Sequence, residues 1–120
     1  DDTTRTPDIK KALAGVKDDA PVIMLSHDPA PFVNMVDRPV ITLCGHTHGG
    51  QVAIPFIGPI IIPGRAPMKY AYGHIEEEGR DMIVTSGLGT SILPVRFNRR
   101  PEIMKITLSS PSAISRGALI

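Results

Sequence analysis

The chain has 120 residues, 42% of them hydrophobic, and a formal net charge of +1, which is typical of one modest globular domain. The near-neutral charge and the lack of a basic run argue against nucleic acid as a partner, and no apolar stretch approaches the roughly 18 residues of a membrane span. The single cysteine, Cys44, excludes an intramolecular disulfide. Because it ends an apolar run, we expect it to be a small buried residue rather than a reactive thiol.

The first part of the chain predicts a helix followed by two buried strands. Apolar residues recur at helical spacing over residues 7–17, with Thr6 as the expected N-cap, Pro7 in the first helical position and Asp8 in the first turn. Short apolar runs at residues 22–25 and 40–44 predict strands. A short helix is expected between them, at residues 31–36.

The second part predicts mainly strands and turns. We expect a strand at residues 51–54, an irregular loop at 55–67, a β-hairpin pairing 70–77 with 80–86, and a final strand at 101–108. Residues 1–108 would form the folded part of the chain. The remaining residues, 109–120, carry no pattern and are expected to be disordered.

Three predicted strands end in polar or glycine-rich turns. His27 follows the first strand, His46 and His48 follow the second, and the segment from Gly87 to Gly89 follows the third. Ligand sites in α/β sheets lie at the carboxyl ends of strands, so we expect the three histidines at one rim. An extended backbone at residues 45–48 would also point His46 and His48 to the same side.

The three histidines favour a metal site. Neutral imidazole is a common ligand for zinc, manganese and iron. Three imidazoles alone suit a mononuclear site with water in the open position, whereas a two-metal site needs carboxylates that bridge the ions. Asp28 either stabilises the turn before Pro29 or orients a ligand histidine. His74 lies within the predicted hairpin and is interpreted as structural.

Other residues are candidates for contact with a substrate. Gly49 and Gly50 could present backbone amides to an anion, or they could simply form a tight turn back into the sheet. Arg96 could bind a phosphate group, although the arginines beside it favour a solvated surface. The apolar loop at residues 54–63 is expected to pack under its neighbours. The alternative is an exposed patch that receives an acyl chain or touches a membrane.

Two motifs carry a family resemblance. Leu-Ser-His-Asp-Pro at residues 25–29, followed by Leu-Cys-Gly-His-Thr-His-Gly-Gly-Gln at 43–51, resembles the last two motifs of the calcineurin-like metallophosphoesterases. The later segments at residues 85–91, 94–97 and 101–103 are similar to a bacterial branch of that superfamily. That branch is often membrane-associated or exported and includes phosphodiesterase-like proteins. The resemblance extends over about residues 5–108.

The resemblance implies a fold and an activity. The fold is an α/β protein, the C-terminal half of a four-layer α/β/β/α sandwich with a mixed sheet. The site would hold two divalent transition-metal ions (Mn, Fe or Zn), with His27 and His46 on one ion and His48 on the other. The ions would bind phosphate oxygens and activate water to hydrolyse a phosphodiester, phosphomonoester or pyrophosphate. If the apolar loop at residues 54–63 is exposed, a lipid-linked phosphoester would also fit. The residues themselves do not indicate a compartment, and the resemblance alone suggests a membrane-associated or exported protein.

The chain departs from the family pattern in its missing motifs. It contains no Asp-x-His, Gly-Asp or Gly-Asn-His sequence. These would supply most ligands of one ion, the bridging carboxylate and the catalytic histidine expected to act on the leaving group. We therefore expect that the missing N-terminal half is the partner of this chain and that the chain alone is inactive. Two alternatives are a non-catalytic domain of the same fold that binds a partner protein and a mononuclear three-histidine protein.

Overall fold

The architecture is taken from a computed structural model that describes residues 8–17, 20–34, 40–60, 62 and 66–109. The regular elements are one α-helix and six strands, with short 3-10 helices between them. In chain order they are α1 (Ile9–Leu13), β1 (Val22–Leu25), β2 (Val40–Cys44), β3 (Ala53–Ile54), β4 (Gly58–Pro59), β5 (Gly73–Glu77) and β6 (Arg80–Val84). The 3-10 helices are Ala30–Asn34, His48–Gly50 and Met68–Tyr70.

A four-stranded mixed sheet organises the described residues. Its strand order is β1-β2-β6-β5. The first three strands run parallel, with Val22 opposite Val40 and Ile41 opposite Asp81. β5 is antiparallel to β6 through the tight turn at residues 78–79. The α/β class and the mixed sheet are therefore as predicted. The second sheet of a four-layer sandwich stays a prediction.

The core lies on one face of this sheet. Val40 of β2 and Met82 and Val84 of β6 are buried there, because alternate residues of a strand point to the same side. Phe32 closes the core from the helix after β1, with its ring edge-on to Tyr70 at a centroid distance of 5.6 Å. This cluster fixes the position of β1 and β2 relative to β6.

The opposite face of the sheet is apolar and much more exposed. On β1, Ile23 is 54% exposed and Leu25 is 79% exposed. Farther across, Leu43 and Ile83 line a groove together with the segment at residues 103–106. In the described part of the chain, no second layer covers Ile23 and Leu25. No helix among these residues is long and apolar enough to cross a membrane.

Several predicted elements are confirmed. β1 and β2 have the expected bounds, and β5 and β6 form the expected hairpin, although their paired residues are fewer. The predicted first helix is present but only five residues long. The expected N-cap, Thr6, is wrong, because the N-cap is Asp8, whose carboxylate accepts the Lys11 N–H at 2.9 Å. Thr6 and Pro7 lie outside the described residues. The second predicted helix is the 3-10 helix Ala30–Asn34, with residues 35–36 not described.

Other predicted elements are shorter than expected or wrong. The strand expected at residues 51–54 is present but shorter, Ala53–Ile54, and it pairs with β4 inside the segment expected to be an irregular loop. Residues 101–108 form no strand. This segment does not pair along β6. It is hydrogen-bonded to the turn that follows β6, where the Glu102 N–H donates to Gly87 O at 3.0 Å. Of the predicted disordered tail, residues 110–120 lie outside the described part of the chain.

Candidate functional site

The carboxyl ends of β1, β2 and β6 meet at one edge of the sheet. Backbone hydrogen bonds continue the ladder past the strands: Ser26 N–H donates to Leu43 O at 3.0 Å, Gly45 N–H to His27 O at 3.3 Å and Thr85 N–H to Cys44 O at 3.0 Å. The turns that follow the strands are therefore held side by side. This is the arrangement predicted from the strand-end pattern.

His27 and His46 lie together at this edge. Their ring centroids are 4.5 Å apart, with the planes tilted by 51°. His48 does not complete a group: among the described residues, no three His, Cys, Asp or Glu side chains are placed so that they could hold a metal ion. His27 and His46 are therefore adjacent, and a metal-binding role for the three histidines stays a prediction.

The backbone of the histidine turn is not extended, which corrects the expectation for residues 45–48. His46 and His48 have φ of 67° and 51°, and Gly49 and Gly50 follow with φ of 64° and 73°. Left-handed φ costs a non-glycine residue roughly 1–2 kcal/mol. Thr47, between the histidines, is fully buried, and its hydroxyl donates to Ala71 O at 2.7 Å. This bond anchors the strained turn. Sequence reasoning did not identify Thr47 as the residue that holds this turn.

Asp28 combines a structural contact with an unsatisfied oxygen. It is 2% exposed, and its Oδ1 accepts the Ala30 N–H at 2.6 Å, which forms the turn before Pro29. Its Oδ2 has no hydrogen-bond partner among the described residues and lies 3.4 Å from His46 Nε2. Burying an unpaired carboxylate oxygen costs folding free energy. The position of this oxygen beside an imidazole therefore points to a function beyond the turn.

The amides of Gly49 and Gly50 are already used within the turn. Gly50 N–H donates to Thr47 O at 2.8 Å, and Gly49 N–H donates to the Thr47 hydroxyl at 3.3 Å. A substrate-binding role for these two residues stays a prediction, although both amides already have partners within the turn. Their conformations serve the tight turn, which was the alternative interpretation.

Two arginines stabilise the turns at this edge. Arg96 donates to Ser86 O at 2.7 Å and also to Gly89 O, so its guanidinium holds the turn after β6. Arg99, to which sequence reasoning gave no role of its own, donates from Nε to Gly49 O at 2.7 Å and lies over the Tyr72 ring at 4.7 Å. A substrate-binding role for Arg96 stays a prediction. Arg99 is the cation that contacts the histidine turn directly.

We expect replacement of Gly49 by alanine to destabilise the protein by about 2–4 kcal/mol. The new Cβ would lie 3.0 Å from Arg99 Cδ and 3.1 Å from Ser86 Cβ, and φ is +64°, so crowding adds to the conformational cost. Gly87→Ala, with φ of +64° but open space, should cost about 1–2 kcal/mol. Gly89→Ala, with neither constraint, should be near neutral. Urea unfolding of the three variants checks this order, and equal costs at Gly49 and Gly87 would contradict the close packing.

Glu102 secures the turn after β6. Its Oε1 accepts the Ser86 N–H at 2.8 Å and its Oε2 accepts the Tyr72 hydroxyl at 2.7 Å. Burial acts to raise the pKa of Glu102, but these bonds and one from Thr85 outweigh it and hold the pKa below its ordinary value. The carboxylate therefore stays ionised and bonded.

Cys44 is buried beneath the site. Burial, with a smaller contribution from the charge of Asp28, raises the pKa of the thiol from 9.0 to about 12. It is 7% exposed and packs with the core. The expectation of an unreactive structural cysteine is confirmed.

An apolar surface adjoins the histidine turn. Phe56 is fully exposed at the tip of the β3–β4 hairpin, Ile57 is 76% exposed beside it, and Ile60 follows. The expectation that this loop packs under its neighbours is therefore wrong for these residues, because their side chains are exposed. Gln51 connects the hairpin's base to the next loop: its side chain donates to Leu93 O and Val95 O at 3.1 and 3.2 Å and accepts the Ser91 N–H.

Comparison with known proteins identifies phosphoesterase relatives. The chain is 40% identical over 105 residues to the uncharacterized metallophosphoesterase YkuE of Bacillus subtilis, a match that covers 87% of this chain and 36% of the relative. It is 36% identical to the phosphodiesterase YaeI of Escherichia coli, over 73% of this chain and 32% of the relative. It is 34% identical to the UDP-2,3-diacylglucosamine pyrophosphatase LpxG of Chlamydia trachomatis, over 80% and 31%.

The chain spans about a third of the length of these curated relatives. No family model matches the chain, and no solved structure gives a significant match.

Proposed function

Because the chain belongs to the metallophosphoesterase family, a group that depends on divalent metal ions, we propose that it forms part of a metal-dependent phosphoester hydrolase with a dinuclear site. In this proposal His27 and His46 serve one ion and His48 serves the other. The remaining ligands come from residues outside this chain. The observation that carries the proposal is the side-by-side placement of His27 and His46 at the ends of two adjacent parallel strands.

The donor chemistry of the described residues fits this role in part. Two imidazoles 4.5 Å apart and a buried carboxylate with an unpaired oxygen are of the types that transition-metal sites use. The set is incomplete among the described residues, which agrees with a chain that spans about a third of its relatives.

The chain's own residues would hold the metal-binding histidines in fixed positions. The parallel ladder fixes His27 relative to the histidine turn, through the Gly45 N–H bond to His27 O. Thr47 and Arg99 hold the turn itself from the buried and outer sides. When bound, the metal ions would lower the pKa of water and neutralise charge on the phosphoryl oxygens. Rigid ligands cost little reorganisation during reaction.

Asp28 would act as a positioning residue for His46. Its carboxylate faces Nε2 of the imidazole at 3.4 Å, which favours the tautomer with a proton on Nε2. That tautomer leaves Nδ1 as the nitrogen free to bind a metal, as is usual where a carboxylate backs a ligand histidine.

We expect Asp28→Asn to weaken metal binding by about 10–100-fold. Asparagine keeps an oxygen for the Ala30 N–H, so the turn should persist, but it removes the negative charge beside His46. Metal affinity measured by calorimetry, with circular dichroism as the check on folding, tests this. Asp8→Asn, which alters an exposed cap carboxylate, is the matched control. Unchanged affinity in Asp28→Asn would leave the turn as the only role of Asp28.

The decisive experiment measures metal and activity together. The full-length protein carrying this chain is stripped of metal, titrated with Mn²⁺ and assayed with bis(p-nitrophenyl) phosphate and p-nitrophenyl phosphate. We expect turnover that saturates at two ions per protein, and none from residues 1–120 alone. Turnover by the isolated chain would contradict the division of the site. Lack of metal binding by the full-length protein would favour the alternative, a non-catalytic partner-binding domain of this fold, and one ion would favour a mononuclear site.

Two of the relatives suggest which esters to include. One is named a phosphodiesterase and another a pyrophosphatase acting on UDP-2,3-diacylglucosamine. We therefore propose phosphodiesters and pyrophosphates, including lipid-linked ones, as the first substrate classes. The apolar surface beside the histidine turn supports the lipid-linked class.

A further inference from the structure

An apolar groove opens next to the histidine turn. It has a volume of about 290 Å³ and runs between Gly50–Val52 and Ile60 on one side and Ser91–Leu93 on the other. Its lining carries no charged side chain. One end is at Gly50, two residues after His48, and the groove therefore begins where the proposed phosphoester site ends.

The backbone holds apolar side chains outward around this groove. Ile92, which lines the groove, is 94% exposed and has φ of 67°. β-branched and bulky residues rarely adopt this conformation, and such strain is concentrated at ligand sites. A loop that only met water would not require an isoleucine in this position.

We propose that the groove binds one acyl or alkyl chain of an amphipathic phosphoester substrate. This inference rests on the proposed function, since it places the ester of that substrate at the histidine turn. The Arg99 guanidinium bonds to the carbonyl of Gly49, the residue before Gly50 of the groove, and the groove lining is apolar apart from Gln51 and Ser91. An amphipathic phosphoester has the same arrangement, with an anionic head at one end and a hydrocarbon tail at the other.

The size of the groove favours a single chain over a protein partner. Its volume of about 290 Å³ lies at the lower limit for small-molecule pockets. A stable protein interface needs roughly 800 Å² from each side, far more than this narrow channel offers. A single acyl or alkyl chain can occupy a groove of this volume without a wider contact surface.

The test is a series of alkyl p-nitrophenyl phosphate diesters, from methyl to octyl, hydrolysed by the metal-loaded full-length protein below micellar concentrations. Each buried methylene is worth about 0.8 kcal/mol, or about fourfold in affinity. We expect KM to fall at least about tenfold from methyl to octyl and to level off once the groove is filled. Leu93→Ser and Ile60→Ser should raise KM for the octyl ester about tenfold without changing KM for the methyl ester.

Val33→Ser is the matched control, because Val33 is 55% exposed, comparable with Ile60 at 51% and Leu93 at 64%, and lies on the helix after β1. Equal KM values along the ester series would overturn the acyl groove while leaving the hydrolase intact. Variants that lose binding to phosphatidylcholine vesicles but keep the octyl KM would also overturn it, in favour of membrane docking.

If no ester is turned over, the proposed function fails. Calorimetry with octyl phosphate and methyl phosphate then still tests whether the groove binds an alkyl chain. Tighter binding of octyl phosphate, lost in Leu93→Ser, supports it. Equal binding of the two ligands overturns it.

Discussion

Replacement of His46 by alanine in the full-length protein is expected to lower kcat/KM for bis(p-nitrophenyl) phosphate about a thousandfold or more. In the proposed site His46 is a metal ligand, and a metal ion supplies several kcal/mol of transition-state stabilisation. Loss of about 4 kcal/mol corresponds to a factor of about 10³. The metal content of the purified variant, measured by mass spectrometry, should fall with the activity. Activity within about tenfold of the parent protein would contradict the assignment.

His74→Ala is the matched control for this variant. His74 lies on β5, far along the chain from the histidine turn, and its ring pairs with Asp81 at 2.5 Å on the exposed side of the hairpin. Loss of an exposed pair should cost at most about 1 kcal/mol of stability. Metal content and kcat/KM should therefore be unchanged in His74→Ala. A parallel loss of metal in both variants would indicate a folding effect rather than a lost ligand.

Replacement of Phe32 by alanine is expected to lower the free energy of unfolding by about 3–5 kcal/mol. Phe32 is 1% exposed, its ring packs edge-on against Tyr70, and the Arg80 guanidinium lies 5.3 Å from its centroid. The variant leaves a cavity between the sheet and the helix after β1, and it removes both ring contacts. Urea unfolding followed by circular dichroism measures the loss.

Its neighbour provides the control. Val33 is adjacent in sequence and more than half exposed, so Val33→Ala should change stability by no more than about 0.5 kcal/mol. A loss below about 1 kcal/mol in Phe32→Ala would mean that the core does not depend on this helix. Similar losses in the two variants would mean that the pair does not distinguish core from surface.

The sheet was predictable because its strands have strong local signals. Val22–Leu25 and Val40–Cys44 are short apolar runs bounded by turn residues, and the β5–β6 hairpin surrounds Glu78-Gly79. The strand expected at residues 101–108 failed for a tertiary reason. Its alternation is real, but Glu102 is bound at the end of β6, and period-two spacing in sequence does not indicate which hydrogen-bond partner is available.

The site was predictable in part. The strand-end rule brought His27 and His46 to one edge, because parallel strands in register place their following turns side by side. The left-handed backbone at His46 and His48 could not be inferred, since it depends on the buried Thr47 bond to a residue 24 positions later. The roles of Arg99 and Gln51 also could not be predicted from the sequence, because each side chain bonds to carbonyls some 40–50 residues away along the chain.

The Gln51 side chain has a consequence for how sequences of this kind can diverge. It meets three backbone groups of residues 91–95 at once, so an insertion or deletion within that short loop would break several bonds beside the histidine turn. The hairpin tip at Phe56 and Ile57 carries no such constraint, because both side chains face solvent. We therefore expect length variation among relatives to concentrate at the tip. The loop at residues 91–95 should differ among relatives by substitutions and keep a constant length. Such substitutions could change the width of the groove without breaking the hydrogen bonds from Gln51.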